Sequence, residues 1–381
     1  MGNENIYVTM PTLAPLNELE PFMKGIWERG ILTHNGPLVQ QFEKEIAQFL
    51  NIRNMVAVNN GTIAIQMGIK ALELTGEIIT TPFTFIATVS SIIWEHCVPV
   101  FVDIDPETFN IDPQKIEERI TNKTSAILPV HVFGNPCDID EIERIAKQYN
   151  LKVLYDAAHA VGVTYNGKNI LEYGDISATS FHATKMLNTV EGGGCVTNND
   201  VLHEKLKRIR FFGYDNNKEV VEDGFNGKMT EVHAAVGLAN LKYLQLALDD
   251  RKKKYFLYKE ILSSNEQIRF QKINQDCNYS YFPILLPSED ILLKVENALN
   301  KQKIFPRRYF YPSVNTYTKI VPYFSLPQSE CVSKRVLCLP LYYDLKETQI
   351  TYIAKVLMDS FEKHILNKAD HKSDNEMIVN I

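Results

Sequence analysis

The chain has 381 residues, 45% apolar and 23% charged, a globular balance that excludes global disorder, collagen-like repeats and a small disulfide scaffold. A formal charge of −6 with scattered Lys and Arg argues against nucleic acid as a partner, and six cysteines without a C-x-x-C pair read as reduced thiols rather than metal ligands. No run of 18 apolar residues occurs and the first residues lack a basic, then apolar, leader, so the expectations are no membrane, no metal and a cytoplasmic location.

Leu38, Phe42, Ile46 and Phe49 recur at helical spacing and predict a helix over 38–50. A βα rhythm follows. Strands at 55–58, 78–80, 100–103, 126–130 and 153–155 alternate with helices at 62–72, 85–94, 113–120 and 140–148. That alternation predicts an α/β fold with a mostly parallel sheet covered on both faces. Past residue 175 the rhythm changes to short strands at 176–181 and 195–197, then a long helical stretch over 231–261. The expected organisation is a large region over 1–240, N-terminal segment included, and a smaller α+β region over 241–366. A polar tail over 367–381 is expected to fray.

Three segments fall at strand-to-loop or loop-to-helix junctions, where α/β sheets collect ligands. Asn59-Asn60-Gly61-Thr62 places a glycine and a hydroxyl at a helix N-terminus, an arrangement that takes an anion or simply caps the helix. Leu154-Tyr155-Asp156-Ala157-Ala158-His159 ends a buried strand on an acid, which is costly without a cationic partner. A protonated pyridine nitrogen would be such a partner, with His159 against the same ring; a turn-capping Asp and a core His are the structural alternative. Ser180-Phe181-His182-Ala183-Thr184-Lys185, followed by Glu191-Gly192-Gly193-Gly194, offers a lysine that burial would make nucleophilic. One ligand uses all three segments. Pyridoxal 5′-phosphate needs a lysine, an acid at its ring nitrogen, a flat group against its ring and an anion site. Phe85 begins a helix beside the expected pocket and would cover the ring, or belong to the core.

These motifs resemble those of the DegT/DnrJ/EryC1/StrS family of sugar aminotransferases, from about Leu32 to Leu341. The match includes Thr81-Pro82-Phe83-Thr84-Phe85, Asp103-Ile104-Asp105, Pro129-Val130-His131-Val132-Phe133-Gly134 and Gly224-Phe225-Asn226-Gly227-Lys228-Met229. The resemblance implies the type I aspartate-aminotransferase fold, with a large mostly parallel α/β/α region and a smaller α+β C-terminal one. It also implies cofactor bound covalently on Lys185, with its pyridoxamine form as the second state. Asp156 then matches the acid at the ring nitrogen and His159 the group beside the ring. Gly61, Thr62 and Ser180 match phosphate contacts, and Phe85 the stacked aromatic. Asn226 matches an asparagine that reaches the neighbouring subunit's phosphate, which implies a homodimer with shared sites.

The loop SFHATKMLNTVEGG over 180–193 resembles the branch that aminates C4 of nucleotide-linked 4-keto-6-deoxy sugars. The implied reactants are dTDP-4-keto-6-deoxyglucose, or a UDP-linked counterpart, and glutamate, for surface-glycan synthesis. Arg308, Tyr309 and Tyr311 lie where the family closes over the sugar nucleotide, and would line that site or only cover the smaller region. A C3 aminotransferase, a dehydratase of the same fold and an inactive sugar-nucleotide regulator stay open as alternatives. The nicotinamide-binding G-x-G-x-x-G is missing. Should Asp156 not be the pyridinium partner, Asp175, Glu191 and Glu231 are the next carboxylates.

Overall fold

A computed structural model describes residues 5–377 apart from residue 276, with side chains through residue 363. β1 (Ile6–Tyr7) leads to α1 (Leu16–Arg29), which the sequence reading missed. This helix has no side-chain cap at its start and carries Pro21 inside, but it ends on Gly30 at φ +66°, a left-handed stop suited to glycine. α2 (Pro37–Leu50) has proline in its first turn, where no N–H is needed, and buries Leu38, Phe42 and Ile46. Phe49 is 39% exposed, because the drift of 3.6 residues per turn brings Leu50 inward instead.

The βα run is β2 (Met55–Val58), α3 (Gly61–Ala71), β3 (Glu77–Thr80), α4 (Ile86–Trp94), β4 (Val98–Phe101), β5 (Thr124–Leu128), α5 (Ile139–Tyr149) and β6 (Lys152–Asp156). Two short 3-10 turns, Pro113–Lys115 and Glu117–Arg119, replace the helix expected at 113–120. Ile116 is the only fully buried anchor in that segment, too little to sustain a longer cooperative helix. β4 ends two residues before the expected strand does. Asp103 has left the sheet, and its carboxylate accepts from the Gln328 and Ser329 N–H groups at 2.9 and 2.8 Å.

A hairpin of β7 (Thr164–Tyr165) and β8 (Lys168–Asn169) precedes β9 (Ile176–Ser180) and β10 (Gly193–Val196). Then come α6 (Asp200–Ile209), α7 (Glu231–Leu241) and α8 (Leu244–Leu262). The helical stretch expected over 231–261 is therefore two helices, broken at Lys242 and Tyr243, whose side chains both bond Glu18 of α1. The smaller region holds β11 (Arg269–Phe270), β12 (Phe282–Leu285), α9 (Glu289–Lys301), β13 (Ile304–Phe305), α10 (Pro327–Arg335), β14 (Val336–Leu339) and α11 (Glu347–Met377). α11 continues through residues 367–377 of the polar tail, and 378–381 lie outside the described residues.

The main sheet has seven strands in the order β2-β10-β9-β6-β5-β3-β4. All its pairs are parallel except those of β10, which runs antiparallel to β2 and β9. Alternate residues face opposite cores. Met55, Ala57, Val153 and Tyr155 pack with α2, α5 and α7, whereas Val56, Val58 and Leu154 pack with α3 and α6. Burial on both faces explains why these strands read as unbroken apolar runs. The smaller region carries an antiparallel sheet in the order β11-β12-β14 over its own core. β1 crosses to pair in parallel with β13, and Ile6 packs into that second core.

Candidate active site

The carboxyl ends of β6 and β9, the N-terminus of α3 and one wall of the smaller region enclose a cavity of about 550 Å³. Its lining includes Gly61, Thr62, Phe85, Asp156, His159, Ser180, Lys185 and Tyr309. Eight of the eleven residues singled out from the sequence thus meet in one place. They come from segments up to 248 positions apart (309 − 61).

The anion end is built by α3. Asn60 caps the helix, its Oδ1 accepting from the Ile63 N–H at 2.8 Å, a cap that contributes about 1 kcal/mol. The N–H groups of Gly61 and Thr62 have no acceptor within the helix and carry the positive end of its dipole. Close approach makes glycine necessary here. A Cβ on Gly61 would lie 2.9 Å from Ser180 Cβ, and one on Gly193 2.5 Å from the Asn60 backbone. Two bare backbones and the Ser180 hydroxyl therefore form one cradle. It fits a phosphate ester.

At the other end lies Asp156, buried, the last residue of β6. Its Oδ2 accepts from Thr88 Oγ1 at 2.7 Å and its Oδ1 from the Ala158 N–H at 3.1 Å. Thr88 is itself held by Thr84 at 2.7 Å. Burial raises the Asp156 pKa, while Thr88, the Ala158 N–H and Lys185 pull it down. An uncompensated buried charge costs about 3–5 kcal/mol. The two bonds leave a carboxylate lone pair for a cationic N–H. Lys185 is half-buried, and burial depresses its pKa to about 8 against the opposing pull of Asp156. His159 is kept neutral by burial and by Lys185. An acid, a low-pKa amine, a neutral imidazole and an anion cradle in one cavity match the chemical needs of pyridoxal 5′-phosphate.

Three residues lie elsewhere. Arg308 turns away from the cavity: its Nη2 donates to Glu289 Oε1 at 2.6 Å and its guanidinium lies 3.4 Å over the Tyr311 ring. Arg308 and Tyr311 line an adjoining cavity of about 320 Å³ with Glu296, Tyr309 and Tyr317. Asn226 is exposed, outside its own chain's cavity, and its Oδ1 accepts from Lys228 Nζ at 2.6 Å. Of the reserve carboxylates, Glu231 accepts from the Leu38 and Val39 N–H groups and so caps α2. Asp175 takes the Val153 N–H at 2.8 Å, and only Glu191 reaches the cavity, 3.6 Å from His182. Sequence reading missed Arg307 and Tyr281, which line the main cavity. The run Arg307-Arg308 signalled a cation there without saying which guanidinium turns inward.

The family model for DegT/DnrJ/EryC1/StrS aminotransferases matches residues 17–358. A dTDP-4-amino-4,6-dideoxy-D-glucose transaminase of Shigella dysenteriae is 43% identical over 364 residues, 93% of this chain and 98% of that protein. Among solved structures, DesI in the presence of its TDP-sugar product superposes with a TM-score of 0.91 at 30% identity, covering 97% of this chain and 96% of that one. NtdA from Bacillus subtilis with bound cofactor PMP gives 0.84 at 31% identity, covering 91% and 82%. The expected type I fold is therefore met.

Proposed function

Because the chain belongs to the DegT/DnrJ/EryC1/StrS aminotransferase family, a pyridoxal 5′-phosphate family, we propose that it aminates C4 of a nucleotide-linked 4-keto-6-deoxy sugar. The substrate is dTDP-4-keto-6-deoxyglucose, the amino donor is glutamate, and the product is a 4-amino-4,6-dideoxy sugar nucleotide. One observation carries this reading: the Lys185 amine and the buried Asp156 carboxylate share a cavity with the open N-terminus of α3. The names of the Shigella relative and of DesI support the sugar and its nucleotide.

The bound cofactor supplies an electron sink for the bond broken at the donor carbon. Everything else falls to residues of this chain. Lys185 Nζ holds the cofactor. With a pKa near 8, roughly a tenth of the free amine is neutral at pH 7, enough to take a proton from the donor's α-carbon and return one to the sugar carbon. Asp156 holds the ring nitrogen protonated, and Thr88 and the Ala158 N–H fix the carboxylate's plane. His159 and Phe85, both in the cavity lining, would flank the ring. Gly61, Thr62 and Ser180 anchor the phosphate. Arg307, at the join of the two cavities, suits the diphosphate of the sugar nucleotide or a donor carboxylate.

The active unit is a homodimer in which Asn226 completes the partner's phosphate site. Its exposure, amid the exposed apolar Phe212, Val220 and Val221, supports a covered face. Among the described residues no helix is long and apolar enough to cross a membrane, and we place the enzyme in the cytoplasm beside its nucleotide-sugar substrate. The test is turnover of dTDP-4-keto-6-deoxyglucose with glutamate, read by NMR. The amine is expected at C4. An amine at C3, or loss of water without amination, would refute the assignment.

A further inference from the structure

His159 is held by groups far from it in sequence. The Phe133 N–H donates to its Nδ1 at 3.2 Å, so the hydrogen resides on Nε2. Phe133 sits at φ +60°, a left-handed conformation that is strained for an aromatic residue. Strain of that kind persists where the surroundings over-determine it. Here they do: Phe310 and Phe133 lie parallel to the imidazole within 7°, and Tyr281 leans on it at 4.8 Å.

The His159 carbonyl is gripped from the smaller region. Asn278 Nδ2 donates to it at 2.7 Å and to the Val161 carbonyl at 2.8 Å, a two-pronged hold across the turn that carries His159. Ser280 Oγ donates its hydrogen to Asn278 Oδ1 at 2.7 Å and lies 3.3 Å from the same carbonyl. Behind them Arg251, fully buried on α8, donates Nη1 to the Ser280 carbonyl at 3.1 Å. Gly134, at φ +82°, leaves the opening. A Cβ there would stand 2.3 Å from Asn278 Oδ1 and 2.9 Å from the His159 carbonyl oxygen. Asn278 and Ser280 are themselves buried, so water cannot take over these bonds.

We propose that Asn278 is a positioning residue for the cofactor ring: held by Ser280 and Arg251, it grips the His159 carbonyl and sets the pitch of the imidazole against the ring. This rests on the reading that His159 lies beside that ring. It couples the placement of the smaller region to the cofactor, because the grip and Tyr281 lead directly into β12 whereas Asp156 ends β6 of the main sheet. Two donors on one planar amide explain the residue type. Aspartate has the shape and keeps the acceptor for Ser280, but it loses both N–H groups.

The test compares Asn278→Ala and Asn278→Asp with the parent. Asn315→Ala serves as a control, since Asn315 is equally buried but bonds the Phe324 carbonyl and Glu330. Ser280→Ala, a milder cut at the same grip, keeps the test alive if the Asn278 variants do not fold. Two spectroscopic readouts are taken: the ring ¹⁵N shifts of His159 in cofactor-free protein, and the visible circular dichroism of protein loaded with pyridoxal 5′-phosphate. The Asn278 variants should move the His159 shifts from the Nε2–H pattern toward tautomer averaging and weaken the dichroic band. Their kcat should fall on the order of tenfold with KM for glutamate within about twofold. Asn315→Ala should lower Tm and leave both spectra alone. Parental spectra in Asn278→Ala, Asn278→Asp and Ser280→Ala would overturn the proposal. His159→Ala separates the two levels. If it too leaves the dichroic band unchanged, His159 is not beside the ring; if it alters the band while the Asn278 variants do not, only the role of Asn278 fails.

Discussion

Asp156 ends β6 and Lys185 follows β9, parallel strands sealed between two layers of helices, and β9 is buried along its whole length. Arg307, Tyr309 and Phe310 instead follow the two-residue strand β13 and a single bridge from Arg307 to Cys338. The first wall of the cavity is built on the main sheet and carries Asp156 and Lys185, the groups we propose hold and move protons. The second belongs to the smaller region and carries the groups suited to the substrate.

The comparison breaks most sharply at Lys185. Lys185→Ala should lose on the order of 10³-fold or more in turnover, measured without added amines, because among the described residues no other lysine lines the cavity to hold the cofactor and move the proton. Asp156→Asn keeps the shape and its one oxygen can accept from the Ala158 N–H, while its amide can bond Thr88 only by donating to it; the negative charge is gone. A loss on the order of 10²-fold is expected. It should fall on the half-reaction with the amino donor, visible as slow decay of the cofactor's absorbance in a single turnover. Parental rates in either variant would move the chemistry off this wall.

The other wall should behave differently. Arg307→Ala should raise KM for the sugar nucleotide on the order of tenfold with a smaller change in kcat. Arg308→Ala should leave KM alone and lower Tm, since Arg308 is engaged by Glu289, the Lys334 carbonyl and the Tyr311 ring. The reverse pattern would show that the inward and outward guanidinium groups have been confused.

The smallest effect concerns pH. The pKa of Lys185 is depressed to about 8 from 10.5, so in cofactor-free protein the unfolded chain binds more protons between those values. Stability relative to Lys185→Met should therefore rise with pH across that window. Thermal melts of both proteins from pH 7 to 11 check the sign: the variant's advantage should shrink as pH increases.

The same contrast explains what could be read from the sequence. The βα rhythm and the three strand-end motifs were legible because buried parallel strands appear as apolar runs that stop at their polar ends. Thr62, Asp156, Ser180 and Lys185 needed only that register. Features set by tertiary partners were not legible. α1 lacks a capping side chain and contains Pro21, so its helix depends on packing rather than on local signals. The break between α7 and α8 comes from Glu18, more than 220 residues earlier. Asp103 leaves its strand to bond α10, and the choice between Arg307 and Arg308 is made by Glu289 on α9. Asn278 carries no motif at all, and only the folded chain brings it to His159.

Whether the cofactor resides on Lys185, with Asp156 at its ring nitrogen, is read out by borohydride reduction of the holoenzyme followed by peptide mass mapping. A phosphopyridoxyl group is expected on the peptide that contains Lys185, in near-stoichiometric yield and absent when an excess of glutamate is added before reduction. A label on any other lysine, or the same yield from Lys185→Ala, would contradict this assignment.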